Sequence, residues 1–205
     1  MSVLNRLASA LGRSDERPNV ELAEALASKP DAAAIAELVA ALTGPVAVSN
    51  DAIKVLYELG ALRPDLVAPH VGAFLTLVGS KNNRNVWGAL QAVETVTELA
   101  ADEVAAALPQ IIAAADKGSV IAKDKAVQIL AKLAAAGHGE AVPMLLERVR
   151  EAAPNQFPMY AEIAAPVIDS AHRQAFRDIL EERVVHIDAP AKKSRIEKVL
   201  RRLHG

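Results

Sequence analysis

The chain has 205 residues, a formal net charge of −2, 52% apolar residues, 3% aromatics and no cysteine. Without cysteine there is no disulfide framework, no thiolate nucleophile and no thiolate metal site. No apolar run reaches the about 20 residues needed to span a bilayer without charge or proline, so a soluble, cytoplasmic protein is expected. A core so poor in aromatics has to be built from Ala, Leu, Val and Ile, and the Ala-rich composition favours closely packed helices over strands.

In chain order, Met1 to Arg13 places Val3, Leu4, Leu7 and Leu11 on one helical face and carries Arg6 and Arg13 without an acid. This segment reads as a capping first helix, with a targeting or interfacial helix as the alternative. Asn19 to Ser28 forms a short second helix bordered by Pro18 and Pro30, and Pro30 suits the first turn of the next. Asp31 to Thr43 carries Ile35, Leu38, Val39 and Leu42, an amphipathic pattern stopped by Gly44-Pro45. The following helix takes Ser49 or Asn50 as N-cap and approaches its end at Gly60.

From Arg63 the plan repeats. A first helix containing Pro69 is followed by the polar turn Ser80-Lys81-Asn82-Asn83 and a second helix. Ala101 to Ala115, with Pro109, leads through Asp116-Lys117-Gly118-Ser119 to another second helix. Ala141 to Glu151, with Pro143, precedes one marked by Tyr160, Ile163, Ala164 and Val167. The last pair covers Ala171 to His186 and Ala189 to Leu203.

The second helices share an apolar pattern. Ala52-Ile53-Lys54-Val55-Leu56, Ala89-Leu90-Gln91-Ala92-Val93 and Ala126-Val127-Gln128-Ile129-Leu130 follow one another at intervals of 37 residues. Later copies return at 34 and 36 residues, at Tyr160 and Ile196. A period of this size is the mark of a repeat architecture, in which no unit buries its apolar face alone.

The chain resembles HEAT-repeat proteins, within the wider armadillo-like class, over Asp31 to Leu203. The helical-pair period, the prolines Pro69, Pro109 and Pro143 in first helices and the Ala-rich second helices carry this resemblance. The HEAT pattern also places a base three positions before the small residue that opens each second helix. Lys123 and Lys193 fit, whereas Ser49, Val86 and Phe157 do not. The resemblance implies an all-α, right-handed α-α superhelix, a HEAT-like solenoid of about six helical pairs. It would form a single domain over 1–205, with N-terminal capping helices in 1–30, repeats in 31–187 and a basic capping helix in 188–205. It also implies a non-enzymatic scaffold that holds a protein or peptide on the concave surface lined by second helices.

Chemistry-bearing motifs are missing. No Gly-rich phosphate loop, nucleophile elbow or zinc-protease pattern occurs, and His70, His138, His172, His186 and His204 occupy unrelated repeat positions. The carboxylate pairs Asp102-Glu103 and Glu181-Glu182 are adjacent in sequence and diverge on a helix. No catalytic residue, metal ligand or cofactor is therefore expected.

Two surfaces qualify as binding sites. At the start of one second helix stand Asn83, Arg84 and the sole tryptophan, Trp87, with Lys123 and Lys125 one repeat later. On one side of the superhelix these would make a basic stripe beside an aromatic, able to hold phosphates and stack a base. The competing reading makes Asn82 or Asn83 a cap, packs Trp87 between repeats and leaves the cations in solvent. The second surface is the C-terminal helix, with Lys192, Lys193, Arg195 and Arg202 around Ile196, Val199, Leu200 and Leu203. Its six cations against Glu197 give +5 over 189–205, leaving −7 for the rest of the total −2. Such a helix would meet an acidic protein, nucleic acid or anionic membrane, or would simply cap the last repeat.

A second resemblance, to alkylpurine DNA glycosylases, which are HEAT-like solenoids of similar size, rests on Asn85-Val86-Trp87-Gly88-Ala89 at a helix start. Gly88 and Ala89 stand where those enzymes carry arginines. This gives nucleic-acid binding as the alternative to protein binding; the oligomeric state is open.

Overall fold

The computed structural model describes residues 2–203, and among them the secondary structure is entirely helical. His204 lies outside the described residues. By packing, the chain divides into two compact units, Met1–Ala126 and Val127–Gly205.

In the first unit, α1 (Arg17–Ser28), α3 (Val46–Leu62) and α6 (Asn83–Val96) pack successively against one another. The other helices lie against this row. They are α2 (Ala32–Ala40), α4 (Pro64–Val67), α5 (Val71–Val78), α7 (Ala101–Ala106) and α8 (Leu108–Lys117); α2 packs on α3, α5 on α6, and α7 and α8 on α5. The division between units falls within α9 (Val120–Ala135). In the second unit α10 (Ala141–Glu151) packs on α11 (Phe157–Ala164) and α12 (Arg173–Val184), and α13 (Pro190–Leu203) packs on both α11 and α12.

The apolar pattern of the second helices forms a large part of the core. Ala52, Leu56, Leu59, Ala89, Ala92, Val93, Val96, Ala126, Ile129, Leu130 and Leu133 are all completely buried. Small residues permit the close approach. A Cβ on Gly88 would lie 3.0 Å from Ile53 Cγ1, and one on Gly60 would lie 2.3 Å from Thr95 Oγ1. Gly60 therefore serves the contact of α3 with α6, and α3 runs past it to Leu62 rather than ending there.

Several local expectations give way to tertiary contacts. Residues 3–6 form a 3-10 helix followed by turns, not an α-helix through Arg13, because other elements take the backbone N–H groups. Val3 donates to Glu37 (3.0 Å), Ala8 to the buried Asn19 (3.0 Å) and Ser9 to Asp51 (2.7 Å). Asn19 in turn donates to Asp51 at 2.8 Å, so one buried network fastens the N-terminal segment to α1 and α3. Leu7 is buried as expected, whereas Leu11 is exposed.

The prolines act according to position. Pro18 lies inside the first turn of α1, and Pro30 precedes Asp31, whose carboxylate caps α2 by accepting from Ala34 at 3.0 Å. Pro69 and Pro109 split their first helices, giving α4, a 3-10 turn and α5 in one case and α7 and α8 in the other. Pro143, in the first turn of α10 where an N–H is dispensable, breaks nothing. Pro45 starts α3 early, so Ser49 is a buried residue of its first turn and not the N-cap. In α11 the buried set is Phe157, Pro158, Tyr160, Ala161 and Ala164, while Ile163 and Val167 are half-buried. The helix stops at Ala164 and tightens into a 3-10 turn through Pro166, which rotates Val167 away from the expected register.

In the second unit Arg183 closes the end of α10. Its guanidinium donates to the carbonyls of Val149 (2.7 Å), Arg150 (2.8 Å) and Ala152 (2.6 Å) and lies 4.2 Å from the centre of the Phe157 ring. Orphan carbonyls at a helix C-terminus and the face of an aromatic ring both favour a planar cation.

Close packing at Gly60 sets an expected outcome. Thr95 is held by donating its hydroxyl to Ala92 at 2.7 Å and cannot swing aside freely. Gly60→Ala should destabilise the fold by about 1–3 kcal/mol in chemical denaturation. Thr95→Ala in the same chain should recover part of that loss, and strictly additive effects would disprove the contact.

Candidate partner-binding surface

The start of α6 is built from amides. Asn82 caps the helix by accepting from the Arg84 N–H at 3.0 Å, and its own side-chain amide donates to Asn50 at 2.8 Å. Asn85 donates to Ser49 Oγ at 2.8 Å, and Ser49 Oγ donates to the Leu42 carbonyl at 2.8 Å. These bonds fix the first turn of α6 on α3, and they set the directions of Asn83, Arg84 and Trp87.

Those three residues do not face one way. Arg84 makes an ion pair with Glu16, the residue that precedes α1, and lines a hollow with Arg13, Asp15, Asn50 and Asp51. Asn83 and Trp87 instead line a hollow of about 90 Å³ with Val86, Lys117, Gly118, Ser119 and Ala122. Trp87 is half-buried, its ring 6.0 Å from that of Tyr57 and tilted by 52°.

The expected cationic stripe is largely neutralised within the fold. Lys125 pairs with Glu94 at 2.9 Å, while Lys123 is exposed. Lys54, absent from the expected site, pairs with Glu58 (2.6 Å) and Glu16 (3.2 Å) and stands 4.9 Å from the centre of the Tyr57 ring. Burial works against its ammonium, yet Glu58, Tyr57 and Glu16 hold its pKa above the ordinary lysine range. Burial likewise raises the Tyr57 phenol, with Lys54 opposing. The Lys54–Glu58 spacing is legible in the sequence as an i,i+4 pair. The bond of Glu16 to both Lys54 and Arg84 is not, since Arg84 lies 68 residues away.

In the second unit the basic helix is divided as well. Lys192 donates to Asn155 at 2.5 Å and Arg195 binds Glu162, with Nε–Oε1 at 2.8 Å. Lys193, Lys198, Arg201 and Arg202 are exposed. Ile196 and Val199 are buried and Leu200 and Leu203 half-buried, so the apolar stripe seals the unit while one face of the helix stays cationic.

Histidines add no centre. His172 contacts Asp169 at 2.8 Å and His138 contacts Glu140 at 3.4 Å. Among the described residues no three His, Cys, Asp or Glu gather as a metal site, and no helix is long and apolar enough to cross a membrane.

No protein-family model matches the chain, and no curated protein matches it. Among solved structures it is similar to an engineered protein whose crystal structure comes from the Northeast Structural Genomics Consortium. The two share 16% identity with a TM-score of 0.64, over 100% of this chain and 97% of that one. At that identity the likeness concerns the all-helical fold alone.

The Glu162 pair generates a pH test. The hydrogen bond from Arg195 holds the carboxyl below the usual carboxylate range against partial burial, and the charges of Arg195, Lys198 and Arg202 add to the effect. Because the folded pKa is depressed, the associated stability is present above the unfolded value of about 4.3 and is lost as pH falls through the folded pKa. The side chains are 45% and 41% exposed, so this stability is small. Arg195→Ala should move the Glu162 titration upward when followed by carboxyl NMR; an unchanged midpoint would refute the pairing.

Proposed function

We propose that the protein is a non-enzymatic binding or scaffolding module, a HEAT-like right-handed α-solenoid of about six helical pairs. Its ligand is a protein or peptide held on the row formed by α1, α3, α6 and the start of α9. The single observation that carries this reading is the half-exposed Trp87, backed by Tyr57 and opening on a hollow made by the next turn. An aromatic on a rigid helix loses little conformational freedom on binding and contributes much contact area, which is why such residues anchor protein interfaces. The recurring apolar period and the paired helices support the solenoid. A cytoplasmic location accords with a chain that has no cysteine.

Nucleic-acid binding is the second reading, favoured by the exposed Lys193, Lys198, Arg201 and Arg202 of α13. A distant likeness to alkylpurine DNA glycosylases belongs to this alternative. Against it, Glu16 and Glu94 already satisfy Arg84 and Lys125.

Two measurements separate the readings. Affinity capture from the native host with the full chain should retain specific proteins that Trp87→Ala releases while the variant keeps its helical circular-dichroism signal; a capture insensitive to Trp87 would defeat the protein-binding reading. Labelled duplex and single-stranded DNA, titrated over a salt series, should show a steep linear fall of log K with log salt only if the nucleic-acid reading holds.

A further inference from the structure

The hollow beside Trp87 continues into a larger one of about 500 Å³, and Asn83, Val86, Lys117 and Gly118 line both. Together they form a cleft between turn 79–82, which precedes α6, and the end of α8 with turn 118–119, which precedes α9. Gly118 permits the close packing at this turn, since a Cβ there would lie 2.7 Å from that of Ala122 and 2.9 Å from the Ala114 carbonyl oxygen. The apolar wall comes from Val78, Val86, Ala113, Ala114 and Trp87, and Gln110 stays on the wall by donating to the Leu75 carbonyl at 2.9 Å.

The charge of the cleft is one-sided. Lys81 and Lys117 line it, and among the described residues no carboxylate does, although the chain carries 25 acids against 23 bases. Both lysines are exposed, and among the described residues neither has an ion pair, unlike Arg84 and Lys125. Lys117 also complements the C-terminus of α8. Lys81 stands in the short turn between the C-terminus of α5 and the N-terminus of α6, whose helix ends act on it in opposite senses and leave its charge free for a ligand.

We propose that this cleft binds an acidic, extended segment of a partner protein. An aliphatic side chain of the segment enters the hollow beside Trp87, and flanking carboxylates meet Lys81 and Lys117. This inference rests on the protein-binding reading and names the partner class for it. Two cations are too few for the counterion-driven affinity of a nucleic acid, and a hollow of about 90 Å³ beside a tilted indole suits a branched side chain better than a base.

Trp87 is the only tryptophan and lines the cleft, so its fluorescence reports occupancy directly. The probe is acetyl-Glu-Leu-Glu-Leu-Glu-amide, titrated into the full chain at low salt beside its Gln-for-Glu counterpart. A saturable change in Trp87 emission is expected with the acidic peptide, with about tenfold weaker binding for the neutral one. A similar loss of about tenfold is expected for the Lys81→Gln, Lys117→Gln double variant at unchanged thermal stability. Equal binding of both peptides, an unaffected double variant, or no saturation would overturn the proposal. So would a single-stranded oligonucleotide that binds with the same lysine dependence while the peptide does not. If the peptide fails while Trp87-dependent capture of host proteins persists, the acidic partner is wrong and the broader protein-binding reading survives; loss of both removes the two together.

Discussion

No helix in this chain can hide its apolar stripe by itself, and the fold follows from that constraint. The stripes are made of Ala, Val, Ile and Leu, so burial demands close approach to the helices one repeat away. Side-chain hydrogen bonds between elements carry the same spacing. Asn85 reaches Ser49 across 36 residues, Gln110 reaches Leu75 across 35, Arg183 reaches Val149 across 34 and Arg195 reaches Glu162 across 33. Side-chain bonds between helices distant in sequence thus help to hold each unit together.

The polar groups that enter these contacts are satisfied by neighbours rather than by their own helices. Asn19 and Asp51 take the N–H groups of Ala8 and Ser9, which is why the N-terminal segment departs from helical geometry in spite of its amphipathic pattern. Arg183 does the converse, supplying donors to carbonyls at the end of α10. Buried groups of this kind contribute modestly when paired and cost far more when one partner is removed. They specify which turn meets which helix more than they add net stability.

Charge follows a related rule. Where a cation of one helix faces the next, a carboxylate one or two repeats away meets it, as Glu16 meets Lys54 and Arg84, Glu94 meets Lys125 and Glu162 meets Arg195. Exposed pairs of this sort are individually weak, but they remove charge from the surface seen by a partner. The informative cations are those the fold does not neutralise, at Lys81 and Lys117 beside the cleft and along the outer side of α13.

The sequence by itself determined the helical class and most of the core, because a 3.6-residue apolar periodicity and small side chains leave few alternatives to helix-on-helix packing. It also singled out the start of α6, since Trp87 and the amides around it break an otherwise uniform pattern. Tertiary structure alone decided where the side chains there point. Arg84 and Trp87 lie three residues apart, yet one turns to Glu16 and the other to the turn before α9. The residues that separate them, Glu16 and Lys117, lie on other elements, and neither local propensity nor periodicity records which carboxylate a cation will find across a packed interface. The same holds for Gly60 and Gly88, which read locally as weak points of a helix and become necessary only once a neighbouring helix presses against them.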